Sequence, residues 1–281
     1  MSTPSAETAA VNRAQARLRA GELVKLYVTG NFATPRHVDF ICRTGLFDAL
    51  WLDLEHFDLP TQEVAVLNLV ARGHPVTTIA RFKASDYQTV MRILETGVGG
   101  IMCSMVNSAA EARQIVQWAK FNNPTPAPGE ATGMRGWNGG NIDAAYATIP
   151  ALEYIRQQNT QTMVICQIET AAGVDAAAEI AAVPGVDGLF FGPGDYSVSL
   201  GLPGQIDHLQ VRAAMATVAK AVSAAGKWWG TVAVGPEMFT RVFDLGARLI
   251  CAGGDVKVMQ LGVRELAKTF APAAAKGGAG Q

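Results

Sequence analysis

Glu169 closes the apolar run Thr162-Met-Val-Ile-Cys-Gln-Ile-Glu169, and Asp195 follows 26 residues later, just past a second run, Val186-Asp-Gly-Leu-Phe-Phe-Gly-Pro-Gly-Asp195. That separation is about one strand-helix-strand unit. In a parallel sheet it sets both carboxylates above neighbouring strands, roughly 5 Å apart at the backbone. Two anions held so close either share a cation or force one of the pair to keep a proton. The spacing predicts a divalent metal site with Glu169 and Asp195 as ligands. Two hard oxygen donors with open positions suit Mg²⁺, Mn²⁺ or Co²⁺ better than a closed zinc site. The competing reading makes both acids helix caps, since each precedes a helix-like stretch where an acid is stabilising.

Other polar residues gather at the ends of similar runs. Asp53-Leu-Glu55-His56 follows one of them, and an acid bonded to one imidazole nitrogen would fix the tautomer and raise the basicity of the other. On that pattern His56 is a candidate acid/base, with Asp53 as its support; the alternative is a hydrogen-bonded scaffold histidine. Arg81 ends Val76-Thr-Thr-Ile-Ala and stays protonated at any working pH, so its task is electrostatic: to hold an enolate or carboxylate oxygen, or to bridge to Asp53 or Glu55. Gly192-Pro-Gly194 lets backbone come close to a small ligand and offers it amide donors. No G-x-G-x-x-G or phosphate-binding loop is present, so nothing in the sequence asks for a nucleotide.

These residues need elements to carry them. Eight short β-rich runs recur, over 23–28, 49–54, 76–80, 100–105, 163–168, 188–191, 228–234 and 249–252, each followed by a stretch that can be helical. Several, such as Leu189-Phe-Phe and Ile250-Cys-Ala, are apolar on both faces. This predicts an α/β protein in which a parallel sheet, covered by helices, closes into a (β/α)₈ TIM barrel of one domain. Chemistry in such a barrel collects at the carboxyl ends of the strands, where Asp53, Arg81, Gln167, Glu169 and Asp195 all fall. Strands one, four, seven and eight end in small, apolar or hydroxyl side chains, among them Thr29, Ser104 and Val232.

An extra helix is expected within 1–22, centred on 6–20 with Val11, Ala14 and Leu18 as its apolar stripe, placed to plug the barrel floor. A long Pro- and Gly-rich connection, 122–140, separates the fourth and fifth strands. The stretch 272–281 reads as a flexible tail. The 281 residues carry a formal charge of −1 with no basic stripe, which argues against nucleic acid as a partner. The four cysteines, Cys42, Cys103, Cys166 and Cys251, lie far apart, which suits buried thiols in a reducing cytoplasm. No run approaches the ~18 apolar residues of a membrane span, and no export signal is expected.

Together these residues resemble the HpcH/HpaI aldolase family, metal-dependent pyruvate aldolases of class II. The likeness runs over about 23–266. It rests on Asp53-Leu-Glu55-His56, Arg81, Met105-Val-Asn-Ser-Ala-Ala-Glu-Ala-Arg113, Arg135-Gly136, Gln167-Ile-Glu-Thr170 and Gly192-Pro-Gly-Asp-Tyr-Ser197. The resemblance implies cleavage of a 4-hydroxy-2-oxo acid to pyruvate and an aldehyde through a metal-stabilised enolate, and the reverse addition. It implies Glu169 and Asp195 as metal ligands, Arg81 as the residue polarising the keto oxygen, and His56 with Asp53 as an acid/base dyad. Gln167, Gly194 and Val232 would line the substrate site. Glu95, in Leu94-Glu-Thr-Gly97, matches an acidic position that serves a neighbouring subunit's site, in a hexamer whose last helix packs on the next copy. Three features depart from the family pattern: Phe57 where a small residue is common, Tyr196 where leucine is common, and the length of the 122–140 connection. No lysine sits at these strand ends to form a Schiff base. Oxaloacetate decarboxylation through the same enolate, and a barrel that binds a metal and a 2-oxo acid without turnover, stand as alternatives.

Overall fold

The computed structural model describes residues 12–277. Eight parallel strands close in sequence order into a barrel: β1 (Val24–Thr29), β2 (Ala49–Asp53), β3 (Thr77–Phe82), β4 (Gly100–Cys103), β5 (Met163–Ile168), β6 (Gly188–Phe191), β7 (Trp228–Val232) and β8 (Ala247–Gly254). Every end lies within two residues of the sequence expectation. Around them lie α1 (Arg13–Arg19), α2 (Pro35–Arg43), α3 (Thr61–Arg72), α4 (Tyr87–Glu95), α5 (Ala109–Ala119), α6 (Ala151–Gln161), α7 (Ala171–Asp175), α8 (Ala177–Ala182), α9 (Pro193–Ser199), α10 (Leu209–Ala224), α11 (Gly235–Asp244) and α12 (Asp255–Gly277).

Strand side chains alternate between two cores, which is why the runs are apolar throughout. Leu26, Trp51, Ile79, Met102, Ile165, Phe190, Trp228 and Leu249 fill the barrel interior. Leu50, Leu52, Ala80, Ile101, Cys103, Val164, Cys166, Leu189 and Phe191 pack outward against the helices. All four thiols are free and buried.

Ala14 and Leu18 of α1 join the interior cluster, so this helix closes the floor as expected. It begins at Arg13 because Asn12 caps it, accepting the Gln15 N–H at 3.0 Å. The earlier part of the expected helix, including Val11, lies outside the described residues. At the other end α12 runs on to Gly277, so 272–277 is helical where a flexible tail was expected, and 278–281 lie outside the described residues. No described helix is long and apolar enough to cross a membrane.

The connection between β4 and β5 is anchored around Arg135. The Gly133, Met134 and Arg135 N–H groups donate to carbonyls of Phe121, Gln117 and Lys120 at 3.2, 2.7 and 2.9 Å, which lays the segment back along the end of α5. The buried Arg135 pairs with Asp143 at 2.7 Å and lies over the Phe121 ring. Tyr154 donates to the same carboxylate. Arg135-Gly136 is thus a structural clasp, with the Gly136 N–H donating to the Tyr87 hydroxyl at 2.7 Å.

The seam between β7 and β8 has no spare volume. A Cβ on Gly230 would sit 2.4 Å from the Leu249 carbonyl oxygen and 2.9 Å from the Phe190 ring. Gly230→Ala is expected to lower stability by about 1–3 kcal/mol, the usual cost of overpacking, read as a fall in the urea midpoint at unchanged slope.

Candidate active site

The register of the barrel builds the site. Asp53, the last residue of β2, lies beside Arg81 of β3, and both are 4% exposed. With that pairing the guanidinium meets the carboxylate side-on: Nε donates to Asp53 Oδ1 at 2.9 Å and Nη2 to Oδ2 at 2.7 Å. Nη1 donates to Glu55 Oε2. The group rests on the Trp51 ring, 4.9 Å from its centroid. Three of the five guanidinium N–H groups are engaged in this way, which leaves one on each terminal nitrogen.

His56 is placed differently from the expected dyad. Asp53 Oδ1 accepts the main-chain N–H groups of Glu55 and His56 at 3.1 and 3.4 Å, so the chain turns over the carboxylate. Both Asp53 oxygens already face Arg81, and the His56 ring stands exposed at the rim with no bond to Asp53. The physical reason is register. A side chain on the adjacent strand meets Asp53 more directly than a ring three residues on in a turn.

Glu169 follows β5 and is 2% exposed. Its Oε1 accepts the Met105 N–H at 2.8 Å, and its Oε2 accepts Gln167 Nε2. Met105, whose amide makes that bond, holds a left-handed conformation, φ 55°. Burial pushes the Glu169 carboxyl up to about 7, and the charges of Asp195 and Glu55 add to it against the two N–H donors. Asp195 lies in the first turn of α9, exposed. Gly194 precedes it with open space where a side chain would be. A Cβ on Gly192 would come within 2.6 Å of Glu169 Oε2, so glycine is what makes room for that carboxylate.

Val232 ends β7 and reaches the interior cluster from a partly exposed position. Glu95 ends α4, on the amino-terminal side of the barrel away from the mouth, and accepts Asn141 Nδ2 at 2.8 Å. Burial and the nearby Asp143 raise its carboxyl. The structure therefore brings Asp53, Arg81, Gln167, Glu169 and Asp195 to one end of the barrel, with His56 at its rim, and leaves Glu95 elsewhere. Glu55, weighed from the sequence as a bridge to Arg81, takes that place. The Met105 amide was not singled out, because a backbone donor leaves no mark on residue type.

No three carboxylate, imidazole or thiolate groups converge as a metal cage among the described residues. A cation here would take two protein ligands, Glu169 and Asp195. The donor set fits one: both are hard oxygen donors, and mutual repulsion among Glu169, Asp195 and Glu55 is what a positive charge would relieve.

Residues 26–260 match the family model described as HpcH/HpaI aldolase/citrate lyase. A hydroxypyruvate/pyruvate aldolase of Delftia acidovorans is 34% identical over 253 residues, 89% of this chain and 88% of that protein. A 4-hydroxy-2-oxo-heptane-1,7-dioate aldolase of Salmonella dublin is 30% identical, over 80% of this chain and 82% of its own. The crystal structure of an HpcH/HpaI aldolase/citrate lyase family protein from Burkholderia cenocepacia superposes with a TM-score of 0.83 at 30% identity, covering 92% of this chain and 99% of that one.

The raised Glu169 carboxyl has a measurable sign. A buried acid that holds its proton more tightly folded than unfolded favours the native state at low pH, and that benefit is lost as pH rises from about 4.5 to about 7. In chelator, Glu169→Gln is expected to raise the melting temperature clearly at pH 8 and much less at pH 5. An equal shift at both values would contradict the assignment.

Proposed function

The chain belongs to the HpcH/HpaI aldolase/citrate lyase family, and from that footing we propose that it is a divalent-metal-dependent aldolase. It cleaves a 4-hydroxy-2-oxo acid to pyruvate and an aldehyde and runs the reverse addition. The observation carrying this reading is a buried guanidinium, Arg81, set around one barrel mouth with a two-carboxylate station, Glu169 and Asp195.

Glu169 and Asp195 would hold a Mg²⁺, Mn²⁺ or Co²⁺ ion, which when bound would supply Lewis-acid polarisation of the 2-oxo acid. Arg81 offers its two remaining N–H groups to the oxygen on which enolate charge develops. Asp53 and Glu55 hold it in place beforehand, so little reorganisation accompanies the reaction. Gln167 steadies Glu169, and the open backbone at Gly194 lets the substrate carboxylate approach its amides. Val232 lines the apolar side of the mouth. His56, exposed at the rim, takes the proton from the hydroxyl on the fourth carbon. That O–H pair becomes the aldehyde carbonyl, the bond between the third and fourth carbons breaks, and its electrons pass to the pyruvyl fragment as an enolate. A proton from solvent at the methylene carbon then gives pyruvate, and His56 releases its own proton to solvent, with no net oxidation or reduction.

We place the protein in the cytoplasm, where its four free thiols stay reduced. We further assign it a hexameric assembly. Val263, Leu266 and Phe270 of α12 are 61, 67 and 71% exposed, an apolar face that a neighbouring copy would cover.

Pyruvate release from a racemic 4-hydroxy-2-oxo acid should need Mg²⁺ or Mn²⁺ and stop in chelator. Glu169→Ala and Asp195→Ala should each abolish it with the circular dichroism unchanged; full activity in either would exclude this metal site. His56→Ala should slow cleavage by about 10²-fold or more while manganese-dependent deuterium exchange into the pyruvate methyl continues. An equal loss of both would mark His56 as structural. Removal of 256–281 should convert the assembly to smaller species in analytical ultracentrifugation, and an unchanged sedimentation coefficient per subunit mass would refute the role given to α12.

A further inference from the structure

Along β1 the interior-facing residues are Val24, Leu26 and Val28, so position 30 is the next to face the barrel axis. It is a glycine, and the space its side chain would fill belongs to Phe57. A Cβ on Gly30 would lie 2.3 Å from two carbons of the Phe57 ring. An aromatic ring delivered from the β2–α3 loop thus stands in for a β1 side chain at the mouth.

The ring is backed by a fixed loop. Asp255, at the start of α12, accepts the Gly30 and Phe32 N–H groups at 2.9 and 2.8 Å, with Val256 N–H on its other oxygen at 2.7 Å. The segment after β1 therefore cannot withdraw without breaking charge-assisted hydrogen bonds. On the other side, Leu59 N–H donates to the Phe57 carbonyl at 2.9 Å, which closes a tight turn around the ring's own backbone.

The mouth consequently has two unlike halves. Strands β2, β3, β5 and β6 bring Asp53, Arg81, Glu169 and Asp195. At the carboxyl ends of β7, β8 and β1 the interior-facing side chains are Val232, Cys251 and Val28, and Val28 and Val232 are partly exposed. A pyruvyl unit held by the charged half must present its reacting carbon to an aldehyde whose substituent points away from the charges, since burying an apolar chain against them gains nothing. That direction leads over Val28 and Val232 to the face of Phe57.

Resting on the aldolase reading, we propose that Phe57, wedged on Gly30, is the acceptor-specificity residue, admitting short unbranched aldehydes and turning away long ones. The test is the kcat/KM for manganese-dependent addition of pyruvate to hexanal relative to acetaldehyde, in the wild-type protein, Phe57→Leu and Phe57→Ala. The ratio cancels any change in the fraction of folded enzyme, and Phe57→Leu keeps an apolar contact with Gly30 if the alanine variant is unstable. The expected result is a hexanal-to-acetaldehyde ratio raised about tenfold or more in Phe57→Ala, with a smaller rise in Phe57→Leu. An unchanged ratio in both variants, in a protein that exchanges pyruvate methyl protons, overturns the role of Phe57 alone. Absence of that exchange in the wild-type protein removes the aldolase reading, and this inference with it.

Discussion

The side-on pairing of Arg81 with Asp53 is the interaction on which the mouth is built. Parallel register places these two residues opposite one another, and at 4% exposure neither charge tolerates the loss of its partner. Removing one side of such a buried pair costs about 3–5 kcal/mol, because the other charge is left in a poor solvent. Glu55 adds a second carboxylate to the guanidinium, and the turn carrying His56 is folded over Asp53 by two main-chain hydrogen bonds. A single ion pair thereby sets the position of the electrostatic residue, its orienting acids and the rim histidine.

That arrangement leaves an imbalance of charge. Asp53, Glu55, Glu169 and Asp195 are brought to one end of the barrel, where Arg81 is the buried cation and is already committed to the first two. Glu169 carries the consequence, with a carboxyl raised by burial and by the acids beside it. The chain mitigates this with the Gln167 amide and with a Met105 peptide held in a left-handed conformation. Backbone strain of this kind persists where the surroundings over-determine it, and here it sits directly on the proposed ligand. A bound divalent ion would meet the remaining deficit, and the proton that Glu169 retains without one is the competing solution.

Fold and chemistry also divide the barrel between them. The charged sector covers β2, β3, β5 and β6, whereas β7, β8 and β1 offer valine, cysteine and a borrowed phenylalanine. Asp255 belongs to the second sector by position, yet one of its oxygens accepts the loop amides of Gly30 and Phe32 and the other the Val256 amide of α12, so its charge holds backbone in place. The same residue begins α12, whose exposed apolar side chains lead away from the barrel. The wall around the proposed acceptor and the helix proposed to reach a neighbouring copy therefore share one anchor.

The barrel itself was legible in the chain because its signals are local. Runs apolar on both faces, punctuated at regular spacing, already define buried parallel strands, and residues at the ends of those runs must gather at one rim. That reasoning placed Asp53, Arg81, Gln167, Glu169 and Asp195 together without coordinates. Tertiary structure decided which of them touch. Asp53 turned to Arg81 across the β2–β3 register and away from the His56 ring, Glu169 found a backbone donor 64 residues away, and Phe57 took the space that Gly30 left open. Partners distant in sequence are selected by register and packing, whereas periodicity reports only which face a residue occupies.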